Sequence, residues 1–444
     1  MLPMMKLIPF ASVLAVSLAL NSSFGETLRL KVEPDHDCLL RGASREVVVK
    51  IDLSAVDLKK RSRRVPLNIA VVLDRSGSMS GSKIEKARQG AMELVDHLAP
   101  GDLFSFITYS DRADVVIAAQ EVEDKEVIKR KIERIHAAGS TALYAGVKLG
   151  AEEVKKHLSS NRINRVILLS DGLANIGPSS TRDLRGLGNA LSEQGISVTT
   201  IGVGDDYNED LMAGLAEASD ANYYYVKDTE KLPQIFAREF GELTTLAARD
   251  IRIEIICPDG VKPISFLGRP ETFAGQKGSV RLSNLTAGQD RYVFMRCIVP
   301  EGTSEVARVN VSYLDELNGG NSGSLNGKAL VRFVNDDETA RKSLRADVVA
   351  QKELLVTAVA KDEALASADA GKLQEAAQKL AASAAALAAK CKDASPEFQS
   401  QAQQEIENLQ RRSRELQQGQ YNSSSRKSLQ NESWTYRNSK MQQQ

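Results

Sequence analysis

Three oxygen-bearing side chains, Asp74, Ser76 and Ser78, lie within five residues of one another where an apolar segment ends. A second acid, Asp171, also directly follows an apolar segment and precedes a glycine. Thr141 lies in a Gly-Ser-Thr-Ala-Leu run just before a predicted helix. Oxygen donors without nitrogen or sulfur are what hard divalent cations prefer. These five side chains therefore predict a metal site, for Mg²⁺ first and for Mn²⁺ or Ca²⁺ next.

The predicted strands explain why residues so far apart in the chain should meet. Apolar strands are expected at 66–73 and 165–170, directly before Asp74 and Asp171. In a parallel sheet all carboxyl ends share one edge, which is where doubly wound sheets bind ligands. Two partly buried carboxylates without a basic partner would repel each other, and a cation removes that cost. Three hydroxyls and carboxylate-held waters would leave one coordination position of Mg²⁺ free for a carboxylate of a partner protein.

The chain divides into segments of different pattern. Strands and amphipathic helices alternate over 66–247, which is typical of a mostly parallel, doubly wound sheet covered on both faces. Residues 248–336 contain short strands separated by turns and predict a β-sandwich, completed by two strands within 26–65. Residues 337–418 predict a helical region, and 419–444 a flexible polar tail. The expected fold class is a multidomain α/β plus β chain with C-terminal helices.

Residues 1–25 have the pattern of a secretory signal peptide. Lys6 precedes an apolar run at 7–20, and small residues precede a cleavage site expected after Gly25. An uncleaved membrane anchor is the rival interpretation, but the run is shorter than the ~20 apolar residues that span a bilayer. We therefore expect a secreted or periplasmic protein with no stable membrane span after signal cleavage.

The cysteines would then meet an oxidising compartment. The chain has four, which allow three pairings. Cys257 and Cys297 both fall in predicted strands and are the candidate disulfide. Four buried free thiols are the alternative that the sequence leaves open.

Composition excludes several classes of protein. Lys plus Arg and Asp plus Glu are both 58, so the balanced charge predicts no nucleic-acid partner and no membrane-surface partner. Four Cys and four His without tight spacing argue against haem, iron–sulfur and zinc scaffolds. Ser76 does not lie in a Gly-x-Ser-x-Gly elbow, and none of the histidines follows a predicted strand, so a hydrolase is disfavoured and no enzyme activity is expected.

The runs VVLDRSGSM at 71–79 and LLSDGLANIG at 168–177 resemble those of von Willebrand factor type A domains. By this resemblance Asp74, Ser76 and Ser78 form the first element of a metal-ion-dependent adhesion site, with Thr141 as the second element and Asp171 as the third. The wider layout is similar to bacterial secreted proteins related to calcium-activated chloride channel regulators and to inter-α-trypsin inhibitor heavy chains.

The resemblance implies metal-dependent, adhesion-type binding of a protein that presents an exposed Asp or Glu. The segment 79–83 lacks the acids that often form an adjacent second metal site in such domains. The alternative function is a structural assembly protein of the cell envelope that oligomerises through its C-terminal helices. A hydrolase with Ser76 as nucleophile ranks behind both.

Overall fold

The computed structural model describes residues 22–24, 27–57 and 64–438. The strands, numbered in chain order, are β1 (Ser22–Phe24), β2 (Leu28–Pro34), β3 (Cys38–Leu40), β4 (Arg45–Ala55), β5 (Leu67–Asp74), β6 (Leu103–Tyr109), β7 (Ala113–Glu121), β8 (Ile163–Ser170), β9 (Ile196–Val203), β10 (Tyr223–Val226), β11 (Leu246–Ile256), β12 (Lys262–Phe266), β13 (Phe273–Ala274), β14 (Lys277–Thr286), β15 (Asp290–Val299), β16 (Glu305–Asp315), β17 (Asn321–Leu330) and β18 (Arg332–Val334). The α-helices are α1 (Ser82–His97), α2 (Lys125–Glu133), α3 (Leu143–Lys155), α4 (Thr181–Glu193), α5 (Glu209–Ala218), α6 (Leu232–Thr244), α7 (Asp337–Lys342), α8 (Ala346–Asp369), α9 (Leu373–Lys390), α10 (Pro396–Gln417) and α11 (Ser423–Arg437).

The α/β unit is built on a six-stranded sheet with the order β10-β9-β8-β5-β6-β7. Neighbouring strands from β10 to β6 run parallel, and β7 pairs antiparallel with β6 at the edge. Every residue of β5 and β8 is buried, because α1, α2 and α6 cover one face and α3, α4 and α5 the other. The predicted doubly wound sheet is confirmed.

The β-sandwich combines strands from both sides of the α/β unit. One sheet has the order β1-β2-β4-β15-β12, and the other has the order β13-β14-β11-β16-β17. Strand β4 pairs with β2 on one side and with β15 on the other. Val49, Ile51, Ile253 and Val311 belong to one buried core shared by the two sheets. The chain therefore leaves the sandwich after β4, builds the α/β unit, and returns at β11.

The C-terminal helices pack on the chain's own domains. Val348 and Leu355 of α8 are buried against Tyr292 and Phe294 of the sandwich strand β15. Alanine and leucine side chains of α8, α9 and α10 form two further small cores between these helices. The predicted helical region is confirmed, and its apolar faces are buried within the chain.

The predicted flexible tail is where the described structure differs most from expectation. Residues 423–437 form α11, which begins at Asn422 in a capping box. Leu429 and Trp434 are buried, and the Trp434 ring contacts the edge of the Tyr223 ring in the core of the α/β sheet. Helix α11 is held by ionic contacts with other elements and by a few buried apolar side chains, so its composition is polar. The local sequence pattern does not reveal these partners, because they are distant in the chain.

The predicted disulfide is not formed, since all four cysteines are buried free thiols. Cys257 and Cys297 lie in the same sandwich core, and the Cys297 thiol is 3.6 Å from the carbonyl oxygen of Val47. Burial raises the pKa of Cys257 to about 11 and also raises the pKa of Cys297. Both side chains therefore act as small protonated core residues.

The predicted signal peptide lies almost entirely outside the described residues. Of residues 1–25 only Ser22–Phe24 are described, and they form an edge strand paired with β2. In the described part of the chain, no helix combines the length and the apolar character that crossing a membrane requires.

Candidate metal centre

The sheet places the two predicted acids on neighbouring strands. Asp74 is the last residue of β5, and Asp171 directly follows Ser170 at the end of β8. The two strands pair in parallel with Leu73 opposite Leu169, so both acids emerge at the same edge. This is the juxtaposition that the parallel-sheet rule predicts from the sequence.

Asp74 is fully buried and bonded to neutral donors. One carboxylate oxygen accepts a hydrogen bond from the backbone amide of Ser76 at 2.8 Å. The other accepts from the Ser170 hydroxyl at 2.7 Å. Burial raises the pKa of Asp74, and the hydrogen bonds from Ser76 and Ser170 offset part of that rise. Ser170 was not singled out from the sequence, although it directly precedes the predicted ligand Asp171.

The hydroxyl groups converge beside these acids. The Ser76 and Ser78 hydroxyl oxygens are 3.0 Å apart, and the Ser78 hydroxyl donates to Asp171 at 2.8 Å. A Cβ on Gly172 would lie 3.0 Å from the Thr141 hydroxyl and 3.4 Å from the Ser78 hydroxyl. Gly172 thus leaves room for the Thr141 side chain next to Ser78, and all five predicted residues meet at one rim.

Backbone hydrogen bonds hold the rim loops together. The amide of Gly77 donates to the carbonyl of Gly139, and the amide of Ala138 donates to the carbonyl of Arg75. These bonds join the loop after β5 to the loop before α3. The amide of Thr141 donates to the Asn175 side chain at 2.9 Å, which joins that loop to the one after β8. The hydroxyls are therefore positioned by three mutually bonded loops.

A lysine that sequence reasoning missed also lies at the rim. Lys83, in the first turn of α1, donates from Nζ to Asp171 at 2.6 Å. The expectation that the two acids lack a basic partner was therefore wrong for Asp171. A Cβ on Gly204, after β9, would lie 3.5 Å from the end of the Lys83 side chain, so the Lys83 side chain passes close to the backbone of Gly204. The sequence places Lys83 just after the loop that carries Ser76 and Ser78, but the contact of its ammonium with Asp171 depends on how α1 packs over the sheet.

The donor set fits a hard divalent cation. In the described ranges, no group of three or more His, Cys, Asp and Glu side chains is placed to hold a metal. The rim instead offers two carboxylates and three hydroxyls, which are all oxygen ligands. Four of the five residues are buried, whereas Ser78 is exposed. A cation held here would have solvent, or a partner, on the Ser78 side.

Comparison with known proteins identifies a family for the part of the chain that carries these five residues. The family model for the von Willebrand factor type A domain matches residues 68–238, which contain all five rim residues. The "Uncharacterized protein sll0103" of Synechocystis sp. is 29% identical over 291 residues, covering 62% of this chain and 68% of that protein. The "Uncharacterized protein YfbK" of Escherichia coli is 26% identical and covers 48% of this chain and 37% of its own.

Mouse inter-alpha-trypsin inhibitor heavy chain H3 is 29% identical over 162 residues. That match covers 34% of this chain and 18% of the mouse protein, so the likeness concerns only a part of each chain. This chain thus spans well under two thirds of the E. coli and mouse relatives.

Two solved structures share the fold across most of the chain. A von Willebrand factor type A protein from Catenulispora acidiphila has a TM-score of 0.66 at 18% identity, covering 84% of this chain and 88% of its own. The ArnB paralog VWA2 from Sulfolobus acidocaldarius has a TM-score of 0.61 at 18% identity, covering 94% and 99%. Domains of this kind commonly mediate protein–protein interaction or adhesion and often bind a divalent metal. Residues 68–238 of this chain are a von Willebrand factor type A domain.

Proposed function

We propose that the type A domain binds a divalent cation, Mg²⁺ first, at Asp74, Ser76, Ser78, Thr141 and Asp171. The observation that carries this proposal is the convergence of two fully buried carboxylates and three hydroxyls at one sheet edge. A bound cation would supply one free coordination position to the carboxylate of an Asp or Glu on a partner protein.

The chain's own residues prepare the rim for that role. Asp74 is held by Ser76 and Ser170, so its orientation does not depend on a bound ion. Hydroxyl ligands are neutral and leave the positive charge of a cation largely uncancelled, which favours an anionic ligand. The exposed Ser78 marks the side from which a partner would approach.

We propose a binding role and not a catalytic one. The Ser76 hydroxyl is hydrogen-bonded to the Ser78 hydroxyl. A serine nucleophile instead requires an adjacent base. The assembly alternative rested on the C-terminal helices, and these bury their apolar faces against one another and against the chain's own domains. Under this proposal the protein acts outside the cytoplasm, as the pattern of residues 1–25 predicts.

Thermal melting with Mg²⁺ and with EDTA tests the metal site. A Mg²⁺ concentration about 100 times Kd should stabilise the wild type by about 2.7 kcal/mol, and EDTA should remove that gain. Asp74→Asn should lose the response, because it removes one of the two carboxylate charges from the rim. Isothermal titration calorimetry with Mg²⁺ on the same proteins gives the affinities directly.

Asp111→Asn is the matched control. Asp111 is an exposed carboxylate beside the rim that accepts from the Ser140 amide at 2.9 Å and is not among the proposed ligands. This variant should keep the Mg²⁺ response. Identical melting of the wild type in Mg²⁺ and EDTA would refute the proposed site, and so would an undiminished response of Asp74→Asn.

A further inference from the structure

Lys83 occupies a special electrostatic position. Its Nζ is 2.6 Å from one carboxylate oxygen of Asp171, and the other oxygen of Asp171 accepts from Ser78. The Asp171 side chain is wholly buried, and the Lys83 side chain is only 22% exposed. An ion pair with one fully buried member is screened little by solvent. The ammonium therefore contributes a full charge to the rim.

The next lysine of the same helix shows what an ordinary pair looks like. Lys86 contacts Glu230 at 2.7 Å, and the Glu230 side chain is 65% exposed. Surface pairs of this kind contribute little, because water and salt screen them. Lys86 lies three residues after Lys83, just under one turn of α1, and provides a matched comparison.

The charges at the rim can be summed. Asp74 and Asp171 contribute −2 and Lys83 contributes +1, so a divalent cation leaves the loaded rim at +1. Without Lys83 the loaded rim would be neutral. The ammonium repels an incoming cation, and it attracts an incoming carboxylate. Lys83 therefore acts in opposite directions on the two binding steps.

We propose that Lys83 determines the balance between metal and ligand at this site: it weakens binding of the divalent cation and strengthens binding of a carboxylate to the loaded rim. The inference rests on the proposed function, because it assumes that a cation binds at Asp74 and Asp171. It assigns a specificity-determining role to a residue that is not itself a metal ligand.

The first measurement is Mn²⁺ binding by isothermal titration calorimetry. Lys83→Met removes the charge and keeps the length of the side chain, and Lys83→Gln is a second neutral variant in case the first folds poorly. Both should bind Mn²⁺ at least about tenfold tighter than the wild type. Lys83→Arg keeps the charge, and Lys86→Met removes an ordinary surface pair, so both should stay close to the wild type.

The second measurement is acetate binding to the Mn²⁺-loaded proteins. Acetate that displaces a coordinated water lowers the water-proton relaxation caused by Mn²⁺, so titration gives its affinity. The loaded Lys83→Met and Lys83→Gln proteins should bind acetate at least about threefold more weakly than the loaded wild type. Lys86→Met should again match the wild type.

The outcomes separate this inference from the proposed function. If no protein binds Mn²⁺, the proposed metal site fails and the role of Lys83 falls with it. If the wild type and the neutral Lys83 variants bind Mn²⁺ equally, the metal site stands and the role of Lys83 is refuted. Tighter Mn²⁺ binding with unchanged acetate binding overturns the proposed balance, since both effects follow from one charge.

Discussion

Buried acids are partnered differently at the candidate metal site and at the surface where α11 docks on the type A domain. At the rim, Asp74 is bonded to the neutral donors Ser76 and Ser170. Asp171 receives the ammonium of Lys83. Among the described residues, no cationic side chain lies within ion-pair distance of Asp74.

At the α11 interface each of three acids has a cationic partner. Glu209 of α5 accepts from Lys427 at 2.6 Å and from Arg426 at 2.5 Å. Arg426 also reaches Asp210 at 3.0 Å and Asp369 at 2.8 Å, so it joins α5, α8 and α11. Each charge finds a partner on another element, and the side chains of Glu209 and Lys427 are almost fully buried.

The difference separates two uses of buried charge. A cluster in which every acid has a cationic partner needs no further ion and makes a permanent interface, provided that all its members stay in place. A cluster that holds a buried acid without a cationic partner is stabilised by a cation that enters, and its stability therefore responds to the ions in solution. Three experiments can break or sharpen this contrast.

The largest effect should come from removing the aromatic anchor of α11. Trp434 is 3% exposed and packs against Tyr223, so Trp434→Ala should cost about 3–5 kcal/mol in the free energy of unfolding. Urea denaturation followed by circular dichroism measures this, with Trp434→Phe as a milder control. The folded variant should still gain stability from Mg²⁺. Loss of that gain without unfolding would show that the two regions are not independent.

An effect of intermediate size is expected from replacing the buried lysines Lys83 and Lys427, and the two variants should differ in whether Mg²⁺ restores their stability. The substitutions Lys427→Met and Lys83→Met each remove a cation that pairs with a buried carboxylate. Each should therefore lower the free energy of unfolding by about 2 kcal/mol in metal-free buffer. Saturating Mg²⁺ should close most of the gap between Lys83→Met and the wild type measured in the same buffer, because a cation replaces the lost ammonium. It should not close the gap between Lys427→Met and the wild type.

Melting curves of the two variants and the wild type, with Mg²⁺ and with EDTA, measure this difference. Lys372→Met is the control, because the side chain of Lys372 is 65% exposed and its contact with Glu375 is 3.7 Å long. It should change stability by less than about 0.5 kcal/mol. Equal rescue of both buried-lysine variants by Mg²⁺ would abolish the contrast.

The smallest effect should be a loss of α11 docking in acid. Burial alone would raise the pKa of Glu432, but Lys361 and Arg412 hold it below its usual value of 4.5. A carboxyl with a lowered folded pKa stabilises the protein fully above its unfolded pKa and loses that contribution as the pH falls through the folded value. The contribution of Glu432 to stability should therefore decline below pH 4.5, with a slope of at most about 1.4 kcal/mol per pH unit.

The fluorescence of Trp434, the one tryptophan of the chain, reports this docking during urea denaturation at each pH. Glu432→Gln should flatten the part of the pH dependence that lies below pH 4.5. An unchanged slope of stability against pH in that variant would show that Glu432 does not cause the loss of α11 docking in acid.

Much of the rim was predictable, because its parts are local. Asp74 ends one fully buried, largely apolar strand, and Asp171 directly follows another. A general rule about parallel sheets then brings the two strand ends together. Predicting that Thr141 joins them required only the further expectation that the loop before a helix lies at the same edge of the sheet.

Lys83 and α11 were not predictable in the same way. The contact between Lys83 and Asp171 joins residues 88 positions apart and depends on how α1 is placed over the sheet. The polar surface of α11 looks like a solvated tail until its acidic partners on α5 and α8 are known. The predicted disulfide between Cys257 and Cys297 was also absent, because two strand positions in one core need not bring two sulfurs together.

The sequence by itself determined the strand-and-helix alternation, the sandwich strands on both sides of it, and the five oxygen-bearing side chains of the rim loops. These features follow from hydrophobic periodicity and chain direction, which are local properties. Only the tertiary structure decided which charges face one another, because Coulomb interactions depend on distances between elements that are remote in the chain. The single ammonium beside Asp171 and the closed ionic cluster around Glu209 are both of this kind.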